Sequence, residues 1–446
     1  MTIGHDLGEV LDEAARAHGV PGAAAAVLVD GEVHVATNGV TSVDHPLDVD
    51  AGTLFQVGSI SKTVTSAAMM LLVEEGALAL EDPVIRHLPH LASTGLDLEA
   101  ITIETALSHQ AGFDGDHLFV HRTGDLAHLA SARRLFPPGQ GFSYNNAAFS
   151  MAGAVVEAVS GTPFADFVVS RLFRPLGMAT ACFDADTAIT HRVAMPHFVY
   201  EHKGYVIRNA GWQRGWELGP RDWAAGGLVA SVQEVARWGR FQLDGLADDG
   251  STLLSRDALQ RLHTPVVTAD ARDRIALDWF VRDVDGVTTI GHGGVTAGYH
   301  SDLVVAPEPR VGIVALTHAT NGGSVNQAVR RWALERFAGA VERDPEPDPA
   351  LTVDPQRFEG RFEEGLRYVT LTAGDEPDTI VASSSAHEDP GQWQPPDDPP
   401  VTLRLFAEDH AVSVGASPAR VARFGFADDG CVAWVLWGYR RAVRVG

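Results

Sequence analysis

Positive charge is scarce in this sequence. Lysine and arginine together number 34 against 58 aspartates and glutamates, so the formal net charge of the 446-residue chain is −24. Proteins that bind nucleic acid or anionic lipid need a cationic face to displace counterions or to meet headgroups. The composition therefore argues against nucleic-acid and membrane partners, and it favours a neutral or cationic small molecule as the substrate.

Long apolar runs and cysteine are scarce as well. No stretch approaches the roughly 18 uninterrupted apolar residues of a membrane span, and residues 1–10 lack the basic region and apolar run of a secretory signal. We therefore expect a soluble, cytoplasmic protein. The two cysteines, Cys182 and Cys431, lie too far apart in the chain to suggest a disulfide framework or a metal-ligand spacing.

Histidine offers no complete metal site. His87 and His90 are separated by Pro89, whereas His117 and His121 have the spacing of two ligands on one helix face but no matching third ligand. The sequence therefore predicts neither a metal ion nor another cofactor.

Only two of the 34 basic residues are lysines, Lys62 and Lys203. An amine can lose its proton at accessible pH, whereas a guanidinium effectively cannot. A lysine retained at position 62 in a chain that otherwise uses arginine is therefore a candidate for acid–base chemistry.

The first three quarters of the chain predict an α/β domain. Strand signals occur near both ends of residues 1–341 and short helices lie between them, so we expect an antiparallel sheet packed by helices, with a helical subdomain at about 80–220. The expected elements are a helix at 6–18, a hairpin at 22–37 around Asp30 and Gly31, a helix at 59–75 that ends at Gly76, strands at 286–291, 300–306 and 310–316, and a helix at 324–337.

The last quarter predicts a linker and a second domain. Residues 342–356 are acidic and punctuated by proline, as in segments that space domains. Within residues 357–446, several segments alternate apolar and polar side chains at period two, which predicts a small antiparallel β-barrel. The polar, proline-rich residues 383–400 are expected to form a loop on that barrel.

Ser59 and Lys62 form the first candidate catalytic pair. They are three residues apart at the start of a predicted helix, where that spacing places both side chains on one face. A serine is a poor nucleophile until a base takes its proton, and burial would lower the pKa of a lysine enough for it to be that base. The alternative is a helix-capping serine with a solvated lysine. Ser61 is an alternative nucleophile, although it lies on a different helix face.

Two further motifs could complete a site. Tyr144 follows a turn-rich loop and could relay a proton, while Asn146 could point the same way; a buried tyrosine beside a capping asparagine is the alternative. His292, Gly293 and Gly294 follow the strand at 286–291, where glycine permits close approach of a substrate backbone and an imidazole could polarise or protonate.

The order of these motifs resembles a known family. Ser59-Ile-Ser-Lys62, Tyr144-Asn-Asn146 and His292-Gly-Gly294 are similar to the SxxK, YxN and HxG signatures of the penicillin-binding-protein and class C β-lactamase-like serine hydrolases. The stretch Leu107-Ser-His-Gln-Ala-Gly and others nearby resemble the same family, over roughly residues 8–340. No Gly-x-Ser-x-Gly occurs, so the nucleophile elbow of α/β-hydrolases is absent from the sequence.

The resemblance implies a role for each motif residue. Ser59 would be the nucleophile, Lys62 its base and Tyr144 the partner in proton transfer. Asn146 would orient the substrate, and His292 and its neighbours Gly293 and Gly294 would border the site. The backbone N–H groups of Ser59 and Val295 would form the oxyanion hole.

One residue departs from the family pattern. The β-lactamases and many carboxypeptidases of this family carry lysine where this chain has His292. The departure favours the esterase, D-peptidase and peptide-cyclising thioesterase branches, and it argues against β-lactamase activity.

The C-terminal segment is similar to the lipocalin-like domains appended to some of these hydrolases. If its last residues fold over the site, Arg441 could hold a carboxylate of a peptide substrate, whereas ordinary salt bridges are the alternative.

Three functions are therefore compatible with the sequence. The first is a thioesterase that macrocyclises a nonribosomal peptidyl thioester, which a carrier protein could deliver. The second is a stand-alone D-aminopeptidase, amidase or esterase that uses water. The third is a non-catalytic sensor or ligand-binding protein that keeps the fold.

Overall fold

The computed structural model describes residues 2–115, 126–207, 216, 218–365, 367–386, 398–416 and 418–445. His117 and His121, considered above as metal ligands, lie outside these residues, as do residues 387–397 of the expected loop.

Helices and strands are numbered in chain order. The helices are α1 (Ile3–His18), α2 (Ile60–Glu74), α3 (Val84–His87), α4 (Ile103–Leu107), α5 (Asn146–Ser160), α6 (Phe164–Val168), α7 (Ala185–Ala188), α8 (Trp223–Gly226), α9 (Val232–Asp244), α10 (Arg256–His263), α11 (Gly322–Ala333) and α12 (Pro355–Phe358), with 3-10 turns at Pro89–Thr94, Ala127–Ser131 and Pro220–Asp222 and π-helical turns at Val169–Phe173 and Leu334–Ala338. The strands are β1 (Gly22–Val29), β2 (Glu32–Gly39), β3 (Leu54–Gln56), β4 (His197–Tyr200), β5 (Lys203–Val206), β6 (Val229–Ser231), β7 (Val267–Thr268), β8 (Asp273–Ile275), β9 (Phe280–Val284), β10 (Val287–Thr296), β11 (Tyr299–Ala306), β12 (Val311–Thr317), β13 (Gly360–Glu364), β14 (Arg367–Ala373), β15 (Ile380–Ala386), β16 (Asp398–Ala407), β17 (His410–Ser413), β18 (Val421–Phe426), β19 (Val432–Trp437) and β20 (Arg440–Arg444).

An antiparallel sheet is the centre of the larger part of the chain. Among the described residues it contains eight strands in the order β2-β1-β12-β11-β10-β9-β8-β7. Helices α1 and α11 cover one face through apolar residues such as Leu7, Leu11 and Val325, and helices α2 and α9 pack on the other. The prediction of an antiparallel sheet packed by helices is confirmed.

Helix α2 lies inside the main core. Every residue from Ile60 to Leu72 is buried, as expected for a helix that is enclosed on all sides. Gly58 precedes the helix with φ +52° and Gly76 follows it with φ +69°, backbone conformations that glycine adopts without strain. These turns fix Ser59 at the N-terminal end of the helix.

The region between α2 and β6 is mainly helical. It contains the short helices α3, α4, α6 and α7, the longer α5, and a separate hairpin of β4 and β5. This matches the helical character expected for residues 80–220, while the domain limits themselves stay a prediction.

The C-terminal strands form a closed barrel. Strands β13 to β20 pair in sequence order and β20 pairs back with β13, which is the up-and-down connectivity expected for a lipocalin-like domain. Phe362, Val369 and Phe424 are among the buried residues of its core. Phe358 from α12 packs on Phe424 with ring centroids 5.0 Å apart.

The acidic segment before the barrel is anchored to the sheet domain. Glu342 accepts hydrogen bonds from Arg282 at 2.8 Å and from Nε of Arg330 at 2.9 Å, and Asp344 accepts one from Arg331 at 2.7 Å. Although burial alone raises the pKa of the Glu342 carboxyl, Arg330 and Arg282 hold it below its ordinary value. The start of the predicted linker therefore packs as part of the sheet domain.

The barrel also contacts the loop that carries Tyr144. The backbone N–H of Tyr144 donates to the carbonyl oxygen of Tyr439 at 2.9 Å, and the N–H of Arg441 donates to Oγ of Ser143 at 3.1 Å. The hydroxyl of Tyr439 donates to Asp273 at 2.7 Å. The turn between β19 and β20 is thus bound to the sheet domain beside the candidate site.

Within the described part of the chain, no single helix has the length and apolar composition needed to cross a membrane. Helices Asn146–Ser160 and Phe164–Phe173, which meet at 74°, reach those limits only when counted together.

We expect Glu342→Ala to lower the free energy of unfolding by about 1–3 kcal/mol at pH 7, because it removes one of the two carboxylates that pair with each of the half-buried Arg282 and Arg330. A carboxyl whose folded-state pKa is depressed stabilises above its unfolded pKa and loses that contribution as pH falls. The difference from wild type should therefore shrink below about pH 4.5.

Denaturant titrations at several pH values measure this effect. Glu346→Ala is the matched control, because Glu346 is exposed in the same segment and its removal should change the unfolding free energy by less than about 0.5 kcal/mol. Equal effects of the two substitutions would show that the Glu342 ion pairs add no stability.

Candidate active site

Ser59 and Lys62 meet at the N-terminal end of α2. Nζ of Lys62 lies 3.0 Å from Oγ of Ser59, and the amine also donates to the carbonyl oxygen of Ala225. Ser59 is half-buried, whereas Lys62 has no exposed surface. The serine can therefore meet a substrate while its base stays out of water.

Burial sets the protonation of Lys62. Desolvation lowers the pKa of the amine from 10.5 to about 7; the carboxylate of Asp278 opposes this change, and the charge of Arg440 adds to it. A neutral amine is consequently well populated near pH 7. It can accept the proton of the Ser59 hydroxyl, which is the requirement for a general base.

Ser61 is held in the protein interior. It has no exposed surface, its hydroxyl donates to the carbonyl oxygen of Gly58 at 2.6 Å, and its Oγ accepts from the N–H of Leu228 at 2.9 Å. These bonds fix the turn before α2. They leave Ser59 as the hydroxyl that faces both Lys62 and the open side of the site.

Tyr144 lies over the lysine. Nζ of Lys62 is 4.9 Å from the centroid of the Tyr144 ring. Burial, together with the charge of Asp278, raises the pKa of the Tyr144 phenol well above its ordinary value. Ser59 is near enough to oppose that rise, although no described residue makes a well-formed hydrogen bond to the phenol oxygen. A neutral phenol in this position can pass a proton to or from Ser59.

The two asparagines after Tyr144 differ in their surroundings. The side chain of Asn145 accepts from the N–H of Ala148, which caps helix α5, and it donates to the carbonyl oxygen of Phe113 at 2.8 Å. Asn146 is half-buried at the first position of α5. The capping role thus belongs to Asn145, and the substrate-orienting role of Asn146 stays a prediction.

The motif from His292 to Gly294 lies inside strand β10, which continues to Thr296. The sequence analysis had placed this motif after the end of the strand, so that part of the prediction is wrong. The neighbouring strand β9 pairs with β10 only as far as Gly291, whereas β11 pairs with it through Thr296. Beyond Gly291, one edge of β10 is therefore without a strand partner among the described residues. A substrate backbone could lie against this edge.

Glycine is required where β10 crosses the turn before Ser59. A β-carbon at Gly294 would collide with the carbonyl oxygen of Val57, and one at Gly58 would lie 2.9 Å from the backbone nitrogen of Val295. This close approach brings the N–H of Val295 beside the N-terminal end of α2. The side chain of Val295 is 65% exposed, so it borders the open side of the site.

His292 is nearly enclosed, with 4% of its surface exposed. Its Nδ1 lies 2.5 Å from the carbonyl oxygen of Gly293, and its Nε2 lies 3.3 Å from Oδ1 of Asp278. The imidazole of His292 therefore lies in the protein interior. A direct role for it in proton transfer to substrate stays a prediction.

Two charged or titratable residues that the sequence analysis did not select lie under the site. His109 stacks on Tyr144 with ring centroids 4.2 Å apart, and its Nε2 is 3.1 Å from Oδ1 of Asp278. Both residues have no exposed surface. His109 belongs to the motif at 107–112 that resembled the family, and Asp278 is an acidic residue among the apolar Ala276, Leu277 and Trp279.

The barrel brings Arg440, and not Arg441, over the candidate tyrosine. Cζ of Arg440 lies 5.1 Å from the centroid of the Tyr144 ring. Part of Arg440 reaches solvent, yet burial of its guanidinium lowers its pKa to about 10. Arg441 stacks 3.9 Å from the ring of Trp434 and 4.4 Å from that of Phe136. Its predicted role in substrate binding is not tested by this placement.

The structure thus brings Ser59, Lys62, Tyr144 and the strand from His292 to Val295 together at one place. In the part of the chain that the structure describes, no group of three or more acidic, histidine or cysteine residues is arranged to hold a metal ion. The arrangement can activate a serine hydroxyl, stabilise an oxyanion and move a proton.

Known proteins are similar to this chain in sequence and in fold. Residues 7–336 match the family model described as Beta-lactamase. Penicillin-binding protein 4 of Amycolatopsis lactamdurans is 32% identical over 364 residues, which cover 78% of this chain and 94% of the relative.

Solved structures with low identity show the same architecture. Two crystal structures of SurE, one of them with D-Leu, have TM-scores of 0.75 and 0.73 at 24% identity and cover 99% of both chains. A D-stereospecific amidohydrolase from Streptomyces sp. has a TM-score of 0.61 at 22% identity, over 76% of this chain and 100% of its own. The SurE match includes the barrel as well as the sheet domain.

The pKa of Lys62 predicts a pH profile. Because the neutral amine is the active form and its pKa is about 7, we expect kcat/KM for an accepted ester to fall about tenfold per pH unit below pH 7 and to level off above it. Arg440→Gln removes a charge that lowers this pKa, so the acid limb should move to higher pH.

Lys62→Arg keeps the charge but removes the base, so it should lose the activity, whereas Lys203→Arg at an exposed position should keep it. Full activity of Lys62→Arg would contradict the role given to this amine. An acid limb that stays fixed in Arg440→Gln would instead contradict the effect of the barrel.

A pair of glycine substitutions tests the approach of β10 to Ser59. Gly294→Ala must push β10 away from Val57, so acylation of Ser59 should slow by about 100-fold. Gly293→Ala is the matched control for steric fit, because its β-carbon would meet no atom nearer than 3.5 Å and the fold should accept it. Acylation rates and melting temperatures of both variants measure this; an unaffected Gly294→Ala enzyme would disprove the argument.

Proposed function

The chain belongs to the beta-lactamase family, and on this premise we propose that it is a penicillin-binding-protein-type thioesterase that releases a nonribosomal peptide and closes it into a macrocycle. Family membership confirms the resemblance drawn from the three motifs, and it makes the chain a serine hydrolase of the penicillin-binding-protein and β-lactamase type. The acyl acceptor and the substrate are the proposed part.

The first half of the reaction forms an acyl-enzyme. Neutral Lys62 takes the proton of Ser59 as Oγ attacks the thioester carbonyl, and the N–H groups of Ser59 and Val295 stabilise the oxyanion. The carbon–sulfur bond then breaks. The proton passes through Tyr144 to the leaving thiolate, so the thiol departs and Lys62 is neutral again.

The second half transfers the acyl group to an amine of the same peptide. The amine nitrogen attacks the ester carbon, the bond to Oγ of Ser59 breaks, and the proton lost by the amine returns to Ser59 through Lys62. Water competes for the same ester. Cyclisation therefore requires a site that shelters the ester until the amine arrives.

The contact between the barrel and Tyr144 is the observation that carries this proposal. The carbonyl oxygen of Tyr439 accepts from the N–H of Tyr144 at 2.9 Å, and the guanidinium of Arg440 lies over the Tyr144 ring. This contact encloses one side of the site. It also presents a cation that could hold a carboxylate or carbonyl of a folded peptide chain.

The proposed substrate is a peptidyl thioester with a D-residue at the acylating end, delivered by a carrier protein in the cytoplasm. A structure of SurE with D-Leu and the likeness to a D-stereospecific amidohydrolase support the D-configuration. The open edge of β10 beyond Gly291 offers backbone groups to which an extended peptide could bond.

A hydrolytic D-aminopeptidase, amidase or esterase is the second candidate. It is favoured by the half-buried state of Ser59, which leaves part of the nucleophile open to solvent. A purely ligand-binding role is less favoured, because such a role does not need a buried amine 3.0 Å from the serine hydroxyl.

Intact-protein mass spectrometry with a peptidyl thioester ending in a D-residue tests the proposal. We expect an acyl adduct on the wild type and on Ser61→Ala but none on Ser59→Ala, which lacks the attacking oxygen. The released product should be lighter than the linear acid by one water, the mass of the macrocycle.

Other products or adducts would contradict particular parts of the proposal. The linear acid as sole product would replace cyclisation by hydrolysis, and the diastereomer ending in an L-residue is the control for the D-configuration. An adduct that persists on Ser59→Ala would disprove the nucleophile. A wild type that forms no adduct and turns over no thioester would reject the proposed substrate class.

A further inference from the structure

His109 contacts three successive residues of the loop that carries Tyr144. Its backbone carbonyl oxygen accepts from the N–H of Ser143 at 3.1 Å, and Nδ1 of its ring accepts from the N–H of Asn145 at 3.0 Å. The same ring stacks on Tyr144, with centroids 4.2 Å apart and planes inclined by 27°. One fully buried residue thus holds the backbone on both sides of the tyrosine and also contacts its ring.

The tautomer of His109 follows from these bonds. Because Nδ1 accepts a backbone N–H, it carries no hydrogen, and the single ring proton lies on Nε2. Nε2 is 3.1 Å from Oδ1 of Asp278, an acceptor on a side chain with no exposed surface. His109 is therefore a neutral imidazole that accepts at one nitrogen and donates at the other. Burial lowers its pKa to about 4, which agrees with this assignment.

The surroundings of this ring are suited to histidine. The backbone N–H needs an acceptor, the buried carboxylate needs a donor, and the stacked phenol needs a flat surface. A neutral imidazole offers an acceptor and a donor on separate atoms of one flat ring. Phenylalanine would keep the flat surface but would leave both buried polar groups without a partner, which costs folding free energy.

The phenol of Tyr144 depends on packing for its position. No described residue makes a well-formed hydrogen bond to its oxygen, and its backbone N–H is bound to the carbonyl oxygen of Tyr439 in the barrel. The stack on His109 is the closest ring contact of Tyr144 among the described residues. The direction of the phenol over Lys62 therefore depends on the imidazole against which it lies.

We propose that His109 is a positioning residue for proton transfer: fixed by Asp278, it holds the phenol of Tyr144 where that group can protonate the leaving group. This role rests on the proposed acyl-transfer function. Because His109 has no exposed surface, it does not touch the substrate, and it acts through the tyrosine.

Two esters of N-acetyl-D-leucine, with different leaving groups, test this role. p-Nitrophenolate leaves without a proton, whereas ethoxide needs one, so the ethyl ester depends more strongly on the phenol. We expect His109→Asn to slow acylation of Ser59 by the ethyl ester about 100-fold, and by the p-nitrophenyl ester less than about threefold. Release of p-nitrophenolate and intact-protein mass spectrometry of quenched samples measure the two rates.

The variants are chosen to separate positioning from loss of structure. His109 has φ +60°, a conformation that asparagine adopts readily, so the backbone should be kept in His109→Asn. His109→Gln also lacks the ring, should give the same pattern, and replaces His109→Asn if that variant does not fold. His318→Asn is the matched control, because it removes another fully buried imidazole. It should lower the melting temperature but leave the ratio of the two rates unchanged.

A double-mutant cycle tests whether His109 acts through Tyr144. In Tyr144→Phe the hydroxyl is already absent, so adding His109→Asn should slow the ethyl ester less than about twofold further. Losses that multiply in the double variant, or a His109→Asn enzyme that is slowed equally with both esters, would overturn the proposal. A Tyr144→Phe enzyme that is slowed equally with both esters would instead contradict the proton path of the proposed function.

Nitrogen NMR of the imidazoles in the full chain tests the tautomer without any substrate. The signals that disappear in a His109 variant identify this ring among the 19 histidines, and we expect a neutral imidazole with its proton on Nε2 at pH 7. A proton on Nδ1 would break the bond to Asn145 and overturn the proposal. A wild type that reacts with neither ester but shows the expected tautomer would reject the acyl-transfer function and support the placement of His109.

Discussion

Burial of the Lys62 amine is the constraint on which this site depends. The amine has no exposed surface, and desolvation is the main reason why its pKa falls from 10.5 to about 7. Its enclosure requires the ring of Tyr144 on one side and that of Phe149 on another, with Nζ 5.6 Å from the latter. Between about pH 7 and pH 10.5, the Lys62 amine is protonated in the unfolded chain and mostly neutral in the folded protein. The folded protein therefore loses stability because it keeps this base neutral. The large core around α2 offsets that loss.

The parts of the site that follow from local spacing could be predicted from the sequence. Ser59 and Lys62 meet because residues three apart share a helix face. The apolar runs and the turn at Asp30 and Gly31 located strands of the sheet, and the period-two patterns located strands of the barrel. The group of His109, Asp278 and His292 could not be predicted in this way. His109 and Asp278 are 169 residues apart, and an aspartate between two short strands has the pattern of an exposed turn. They meet only in the folded chain, where the loop after α4 lies beside the turn before β9.

The placement of Arg440 and Arg441 shows a second limit of prediction from the sequence. Neighbouring residues on a strand point to opposite faces, so a one-residue difference decides which arginine reaches the site. The sequence indicated cations at the end of the chain. Their orientation follows from the register of β19 with β20 and from the bond between Tyr439 and Tyr144, which are tertiary contacts. Arg441 instead lies between the rings of Phe136 and Trp434, where it helps to bind the barrel to the sheet domain.

The barrel contact couples enclosure of the site to the strength of its base. Arg440 lowers the pKa of Lys62 by its charge and lies over the Tyr144 ring, and the turn before it is bound to Tyr144 through the carbonyl oxygen of Tyr439. If the turn moved away, the charge would leave and water would approach the amine, and both changes would raise the pKa of Lys62 toward 10.5. The lysine would then be protonated near neutral pH and could not accept a proton from Ser59 or from an attacking amine. In the proposed reaction, the base is therefore active mainly while the barrel is in place, which is also when the acyl-enzyme is best protected from water.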